Sequence, residues 1–277
     1  CNGNNILYGI ELSEGETFGE ISYSVELPAG DADFLGPGKP AIENGRVFIP
    51  VANIDRFVEP GLETPYLPAE VLVVNEKTRK LEKRITLSGE NALEVINFSP
   101  GKVLVVEAGG ISFRRDYTPF LTSSSFVEVI DAKDLDIEQV VNLGMIGANS
   151  PSIDAESGRL YLGSMVFGWV FVIDTNTFEI LRGFLDPIVL TNEFTFVADT
   201  IVHQGSLIAS SFNEDKIYAV DLESLVPGTY PFPEPIFVGV NEEGFLAGVQ
   251  SLYADAGKGE LYFLQAVANR LGKVNLP

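Results

Sequence analysis

Histidine and cysteine, the side chains most often recruited for nucleophilic and metal chemistry, occur once each in these 277 residues, as His203 and Cys1. A Ser-His-Asp triad would have to take His203 as its base. Its setting, Thr200-Ile201-Val202-His203-Gln204-Gly205, reads as a solvent-exposed turn beside a hairpin glycine. With one His and one Cys, zinc sites, haem attachment and a disulfide framework are excluded. Gly109-Gly110 is a pair inside a loop and lacks the spacing that cradles phosphate. The acid pairs Asp31/Asp33 and Asp134/Asp136 are the residue types of glycosidase chemistry, but they sit in turn contexts. Residues 131–136 lack the Gly and the closing Glu of a calcium loop. No catalytic residue is assigned, and a non-catalytic role is the reading.

Two other groups carry recognition chemistry. Residues 53–69 include Asp55, Arg56, Phe57, Pro60, Pro65, Tyr66 and Pro68; residues 109–125 include Phe113, Arg114, Arg115, Asp116, Tyr117 and Phe120. Arg and aromatic side chains held among prolines make stiff, adhesive surface. Asp55, Arg56, Phe57, Tyr66, Phe113, Arg114, Arg115 and Tyr117 are the candidate partner-binding residues. A second group, Glu90-Asn91, Asn149-Ser150, Asn192-Glu193 and Asn241-Glu242-Glu243, falls just before apolar runs. If Asn91, Asn149, Asn192, Glu193 and Glu242 converge, their oxygens suit Ca2+, which takes six to eight. Ordinary turn chemistry accounts for the same residues.

The elements that position these residues show as a repeat. Five segments open on glycine and run into a β-rich stretch: Gly45-Arg46-Val47-Phe48-Ile49, Gly101-Lys102-Val103-Leu104-Val105, Gly158-Arg159-Leu160-Tyr161-Leu162, Gly205-Ser206-Leu207-Ile208-Ala209 and Gly259-Glu260-Leu261-Tyr262-Phe263. Their spacings are 56, 57, 47 and 54 residues. An interleaved series closes on Asn75, Asp131, Asp174 and Asp221, each followed by a polar turn; in the first three another apolar-alternating run follows, and the fourth reaches Ile236-Phe237-Val238 through a proline-rich stretch. Short runs rich in Val, Ile, Tyr and Phe, cut by Gly, Asp, Asn and Pro, are strands joined as antiparallel hairpins. No long segment has a 3.6-residue apolar period, so helix content is low.

Four strands per unit at this spacing predict an all-β fold, a β-propeller of four-stranded antiparallel blades. The five inner hairpins give five blades, with a distorted sixth as the alternative. Ile6–Leu12 and Ile21–Leu27 would add outer strands to the Gly259 blade, closing the ring through the chain ends. Leu271–Leu276 reads as a further strand that fits this scheme poorly. Residues 6–277 then form one domain, with 1–5 as a tether. The connections between second and third strands differ in length: tight near Gly168, Glu214 and Asn269, long at 53–69 and 109–125. Loops of about 15 residues are usually functional or disordered, which marks the face carrying these two.

The pattern Gly-basic-apolar-Tyr or Phe followed by Val172-Ile173-Asp174-Thr175-Asn176-Thr177 resembles the YVTN or YncE-like propeller repeat, most closely over Gly158–Phe178. That resemblance implies architecture and is nearly silent on activity. The chain also resembles bacterial lipoproteins after signal cleavage, in which an acylated Cys1 would precede a polar tether, Asn2-Gly3-Asn4-Asn5. The resemblance implies anchoring at an outer membrane, facing periplasm or cell surface. Eighteen basic against 39 acidic residues leave a net charge of −21, which excludes nucleic acid and favours basic partners or high-salt surroundings. The expected function is a lipid-anchored, non-catalytic scaffold of the cell envelope that binds a protein, without a cofactor, or serves as a subunit of an envelope assembly. The alternative is a lactonase-like hydrolase with Ca2+ at the channel mouth; gluconolactonase-type propellers hold a metal with comparable residues, although no motif here aligns with theirs.

Overall fold

The computed structural model describes residues 5–10, 20–28, 30–193, 195–239 and 248–276. Among them the regular elements are β-strands, with no helical residue. The chain divides into two compact units, residues 1–145 and 146–277.

The first unit holds β1 (Ile6–Ile10), β2 (Ile21–Glu26), β3 (Ala41–Glu43), β4 (Arg46–Val51), β5 (Glu70–Asn75), β6 (Lys80–Thr86), β7 (Ala92–Ser99), β8 (Lys102–Glu107), β9 (Ile111–Phe113), β10 (Pro119–Leu121), β11 (Ser125–Asp131) and β12 (Ile137–Gly144). Two four-stranded antiparallel sheets, β3-β4-β5-β6 and β7-β8-β11-β12, are accompanied by the pairs β1-β2 and β9-β10. The second unit holds β13 (Ala148–Asp154), β14 (Arg159–Ser164), β15 (Trp169–Asp174), β16 (Ile180–Arg182), β17 (Ile188–Val189), β18 (Val197–His203), β19 (Ser206–Ser211), β20 (Lys216–Asp221), β21 (Pro235–Val238), β22 (Val249–Asp255), β23 (Glu260–Gln265) and β24 (Arg270–Asn275). Its sheets are β13-β14-β15-β16 with β17 also on β15, β18-β19-β20-β21, and β22-β23-β24.

Turn chemistry explains the repeat. Gly158 takes φ +66°, as its four counterparts take positive φ, because the hairpin turn that each of them ends needs a left-handed backbone at that position. The same glycine's carbonyl accepts the N–H of the residue after each closing Asp or Asn: Gly45 from Glu76, Gly101 from Ala132, Gly158 from Thr175, Gly205 from Leu222 and Gly259 from Leu276. The closing side chain then caps the next turn, as Asp174 Oδ1 does by accepting the N–H of Asn176 and Thr177 at 2.8 Å each. The two interleaved series are thus the two ends of one hydrogen-bonded corner.

The strands are apolar without alternation because their sheets are covered on both faces. Val71 and Val73 of β5 pack with Val95, Val103, Val105 and Ile130. Leu72 and Val74 face the other way, against Val25, Leu27, Leu35 and Ile49. In the second unit Leu207 and Ala209 join Tyr161, Val170 and Val172. Ile208 joins Val249, Leu252, Leu261 and Phe263.

Several expectations change. β1 and β2 pair with each other, with Leu7 opposite Val25, and the Gly259 hairpin belongs to the sheet β22-β23-β24. That sheet shows three strands, and Leu271–Leu276 falls naturally into its third, β24. Pairing of segments close in sequence closes a shorter loop and costs less chain entropy. The outer strand expected over Ile180–Leu185 stops at Arg182, before Gly183, and a separate short strand, β17, follows Pro187. Asn149 lies in β13 at a bulge beside Pro151, not in a loop. His203 is the half-buried last residue of β18, not a solvent-exposed turn residue.

Candidate functional site

The long connections of the first unit are not loose. Residues 109–125 fold back as the β9-β10 hairpin, with Phe120 opposite Ser112. Its tip is a tight turn in which Arg114 N–H donates to Thr118 O (2.9 Å) and Tyr117 N–H to Arg114 O (2.8 Å), with Tyr117 at φ +65°. Residues 53–69 run beside β9 and are braced to it three times. Gly61 N–H donates to Phe113 O at 2.7 Å, Thr64 N–H to Ser112 Oγ at 2.8 Å, and the Tyr66 hydroxyl to Ile111 O at 3.1 Å. Burial pushes the Tyr66 hydroxyl above its ordinary pKa despite the opposing hydrogen bond, so it stays a neutral donor. The root of this segment is pinned as well: Asn53, buried at φ +53°, donates its amide to Pro68 O (2.9 Å) and Glu70 Oε2 (3.0 Å). Burial raises the Glu70 pKa most, but Arg84 and Asn53 together outweigh it and hold the carboxyl below its usual range.

On this braced base the side chains stand outward. Phe57 is 70% exposed with its ring 5.3 Å from Phe34, and Tyr117 is 72% exposed. Leu62 and Phe113 are exposed too. Val58, Glu59, Pro60, Leu62, Thr64, Phe113 and Tyr117 line an open cleft of about 160 Å³, the size of one large side chain. Arg114 lies over the Phe120 ring at 5.5 Å, and Arg115 packs its stem on Gly61. Among the described residues, none of Arg56, Arg114 and Arg115 forms an ion pair, although acids share both segments. Nine other cations among the described residues form ion pairs. Asp55 and Tyr66 are half-buried, and the Asp55 backbone is pinned: its N–H donates to Pro65 O and its carbonyl accepts from Asp33. All eight candidate residues therefore belong to one bridged pair of segments. Sequence reasoning missed Gly61, Leu62 and Ser112, for which Pro60-Gly61 was the only local signal.

The oxygen-bearing set is distributed over both units. Asn91 belongs to the first unit, where its amide donates to Gly109 O at 3.2 Å. Asn149, in the second unit, donates to Val197 O at 3.1 Å. Asn192 is exposed, and Glu193 N–H is held by Thr191 Oγ1 at 3.1 Å. Glu242 and Cys1 lie outside the described residues. Among those described, no three His, Cys, Asp or Glu side chains gather as metal ligands. No helix of the described residues is long and apolar enough to cross a membrane.

No protein-family model and no curated protein matches the sequence. Solved structures do match in shape. Saccharomyces cerevisiae Sqt1 superposes with a TM-score of 0.58 over 98% of this chain and 66% of its own, at 15% identity. The Dos1 propeller gives 0.60 over 95% of this chain and 60% of its own, at 10% identity. The chain is a β-propeller. A luciferin-regenerating enzyme also matches, with a TM-score of 0.53 over 95% of this chain and 77% of its own, at 11% identity. At these identities the likeness reaches the fold alone, and the chain spans just under two thirds of the length of Sqt1 and less of the Dos1 chain. Since one matching propeller is named as an enzyme, architecture leaves function to the site.

Proposed function

We propose that this propeller is a binding scaffold that captures a protein partner on the platform of residues 53–69 and 109–125. One observation carries the reading: two segments that could have been loose are cross-braced through Gly61, Thr64 and Tyr66, and present exposed Phe57, Leu62, Phe113 and Tyr117 beside three arginines without ion pairs. Pre-ordered aromatic and Arg side chains lose little freedom on binding, which is the physical profile of an interface centre. The 160 Å³ cleft fits one anchoring side chain, too small to enclose a typical small-molecule ligand.

The test compares the intact chain with an Arg114→Ala/Arg115→Ala variant as bait in extract of the source cells, with captured proteins quantified by mass spectrometry. The guanidinium groups are exposed, so the melting temperature should stay within about 2 °C of wild type. A specific partner should be depleted roughly 30-fold, the equivalent of about 2 kcal/mol for an interface centre. An unchanged set of captured proteins would place the interface elsewhere.

A further inference from the structure

Counting from the marks of the repeat isolates one pair of residues. Six positions after the repeat glycine stand Val51, Glu107, Ser164, Ser211 and Gln265; three before the closing residue stand Leu72, Glu128, Phe171, Tyr218 and Gly272. Only the second repeat places acids at both, so the fold itself does not require them. Glu107 on β8 and Glu128 on β11 are each wholly buried. Phe126 is the cross-strand partner of Glu107, which puts Glu128 at the diagonal position on the same face of the sheet.

Each acid holds one backbone N–H of the link between β6 and β7. Gly89 donates to Glu107 Oε2 at 2.7 Å and Ser88 to Glu128 Oε1 at 2.6 Å. Glu107 Oε1 and Glu128 Oε2 are buried with no donor. A proton on one carboxyl supplies that donor, since the two side chains are within hydrogen-bonding reach of each other. Burial and then the neighbouring Glu128 charge push Glu107 up to about 9, so the proton is in place at neutral pH. The charged groups on adjoining elements are committed elsewhere: Glu90 accepts from Ser123 Oγ, Glu94 pairs with Lys39, and Glu70 with Arg84.

The link held by the acids is the root of both platform segments. Gly89 O accepts Ala69 N–H at 2.9 Å, where the first segment ends. Glu90 O and Asn91 O accept Gly109 N–H (3.1 Å) and Ala108 N–H (3.0 Å), where the second begins. We propose that Glu107 and Glu128 form a proton-dependent latch: the shared proton fixes residues 88–91 to the roots of both platform segments, and its loss to solvent releases them. Two adjacent buried carboxylates repel, and neither can then keep its oxygen away from water. The role of the latch in binding rests on reading the platform as the partner surface; the latch itself is testable without a partner.

Hydrogen exchange of the intact chain, corrected for the intrinsic effect of pH, should show protection at 86–91 and 109–125 falling roughly tenfold per pH unit above pH 9, the slope of one released proton. Protection at the β5 and β8 cores should hold. Glu107→Gln supplies a permanent donor and should keep both platform regions protected up to pH 10. If that variant does not fold, Glu107→Val/Glu128→Leu, carrying the residues of the first repeat, replaces it with the same expectation. Equal loss in wild type and variant, or no loss in wild type, overturns the latch. Failure of the arginine variant to lose a partner would overturn only the binding reading.

Discussion

Replacing Glu107 by Gln should make the protein more stable at neutral pH, and the gain should grow with pH. The unfolded side chain ionises near its ordinary value of 4.5, whereas the folded one holds its proton to about 9. Between these values the native state binds a proton that the unfolded state has released, so stability falls as pH rises. The stabilising contribution is fully present below pH 4.5 and lost progressively up to the folded value. At pH 7 roughly 2.5 units of that window have passed at about 1.36 kcal/mol each, which puts the cost at no more than about 3 kcal/mol. Gln is isosteric, can accept from Gly89 N–H as Glu107 does, and offers an amide donor to Glu128. Urea unfolding at pH 4.5, 6, 7 and 8, followed by tryptophan fluorescence and circular dichroism, reads the difference directly. The two proteins should coincide near pH 4.5 and separate by up to about 3 kcal/mol at pH 7. Parallel curves across that range would refute the reasoning, because an acid with an unshifted value contributes no slope there.

Two further substitutions probe the platform and the core. Gly61→Val combines a backbone at φ +102° with a Cβ that would stand 2.8 Å from the Arg115 stem, so it should cost about 1–3 kcal/mol and expose residues 60–64 to limited proteolysis, with β4 and β5 intact. Phe48→Ala removes a wholly buried ring that packs with Val71, Val73 and Val103 and should lower stability by about 3–5 kcal/mol, measured by thermal or urea unfolding.

The periodic features were legible because they are local. A glycine in a left-handed turn and an Asp capping the next corner report on neighbours within a few residues, and each recurs in the second unit as in the first. The eight platform candidates stand out by type alone, as Arg, Phe and Tyr among prolines in long connections. What joins them was hidden. The contact from Gly61 to Phe113 crosses 52 positions, and nothing in either segment specifies the other. The partner of the N-terminal strands was hidden for the complementary reason: β1 and β2 carry apolar residues that suit many sheets, and the structure pairs them with each other.

The acid pair is the hardest case, because its sequence signature points the wrong way. In Val127-Glu128-Val129 an acid between two valines reads as alternation, with the acid facing water. That inference assumes a sheet with one wet face. Here β8 and β11 are central strands of a sheet covered on both sides, so the alternate position is as dry as its neighbours, and Glu107, buried beside Glu128, keeps its proton at neutral pH. The lesson is specific to stacked sheets: once a repeat shows that strands are buried on both faces, a Glu that breaks the apolar run is a group whose charge state the fold controls. In this chain the two such residues hold the backbone link that is hydrogen-bonded to the roots of both residues 53–69 and residues 109–125.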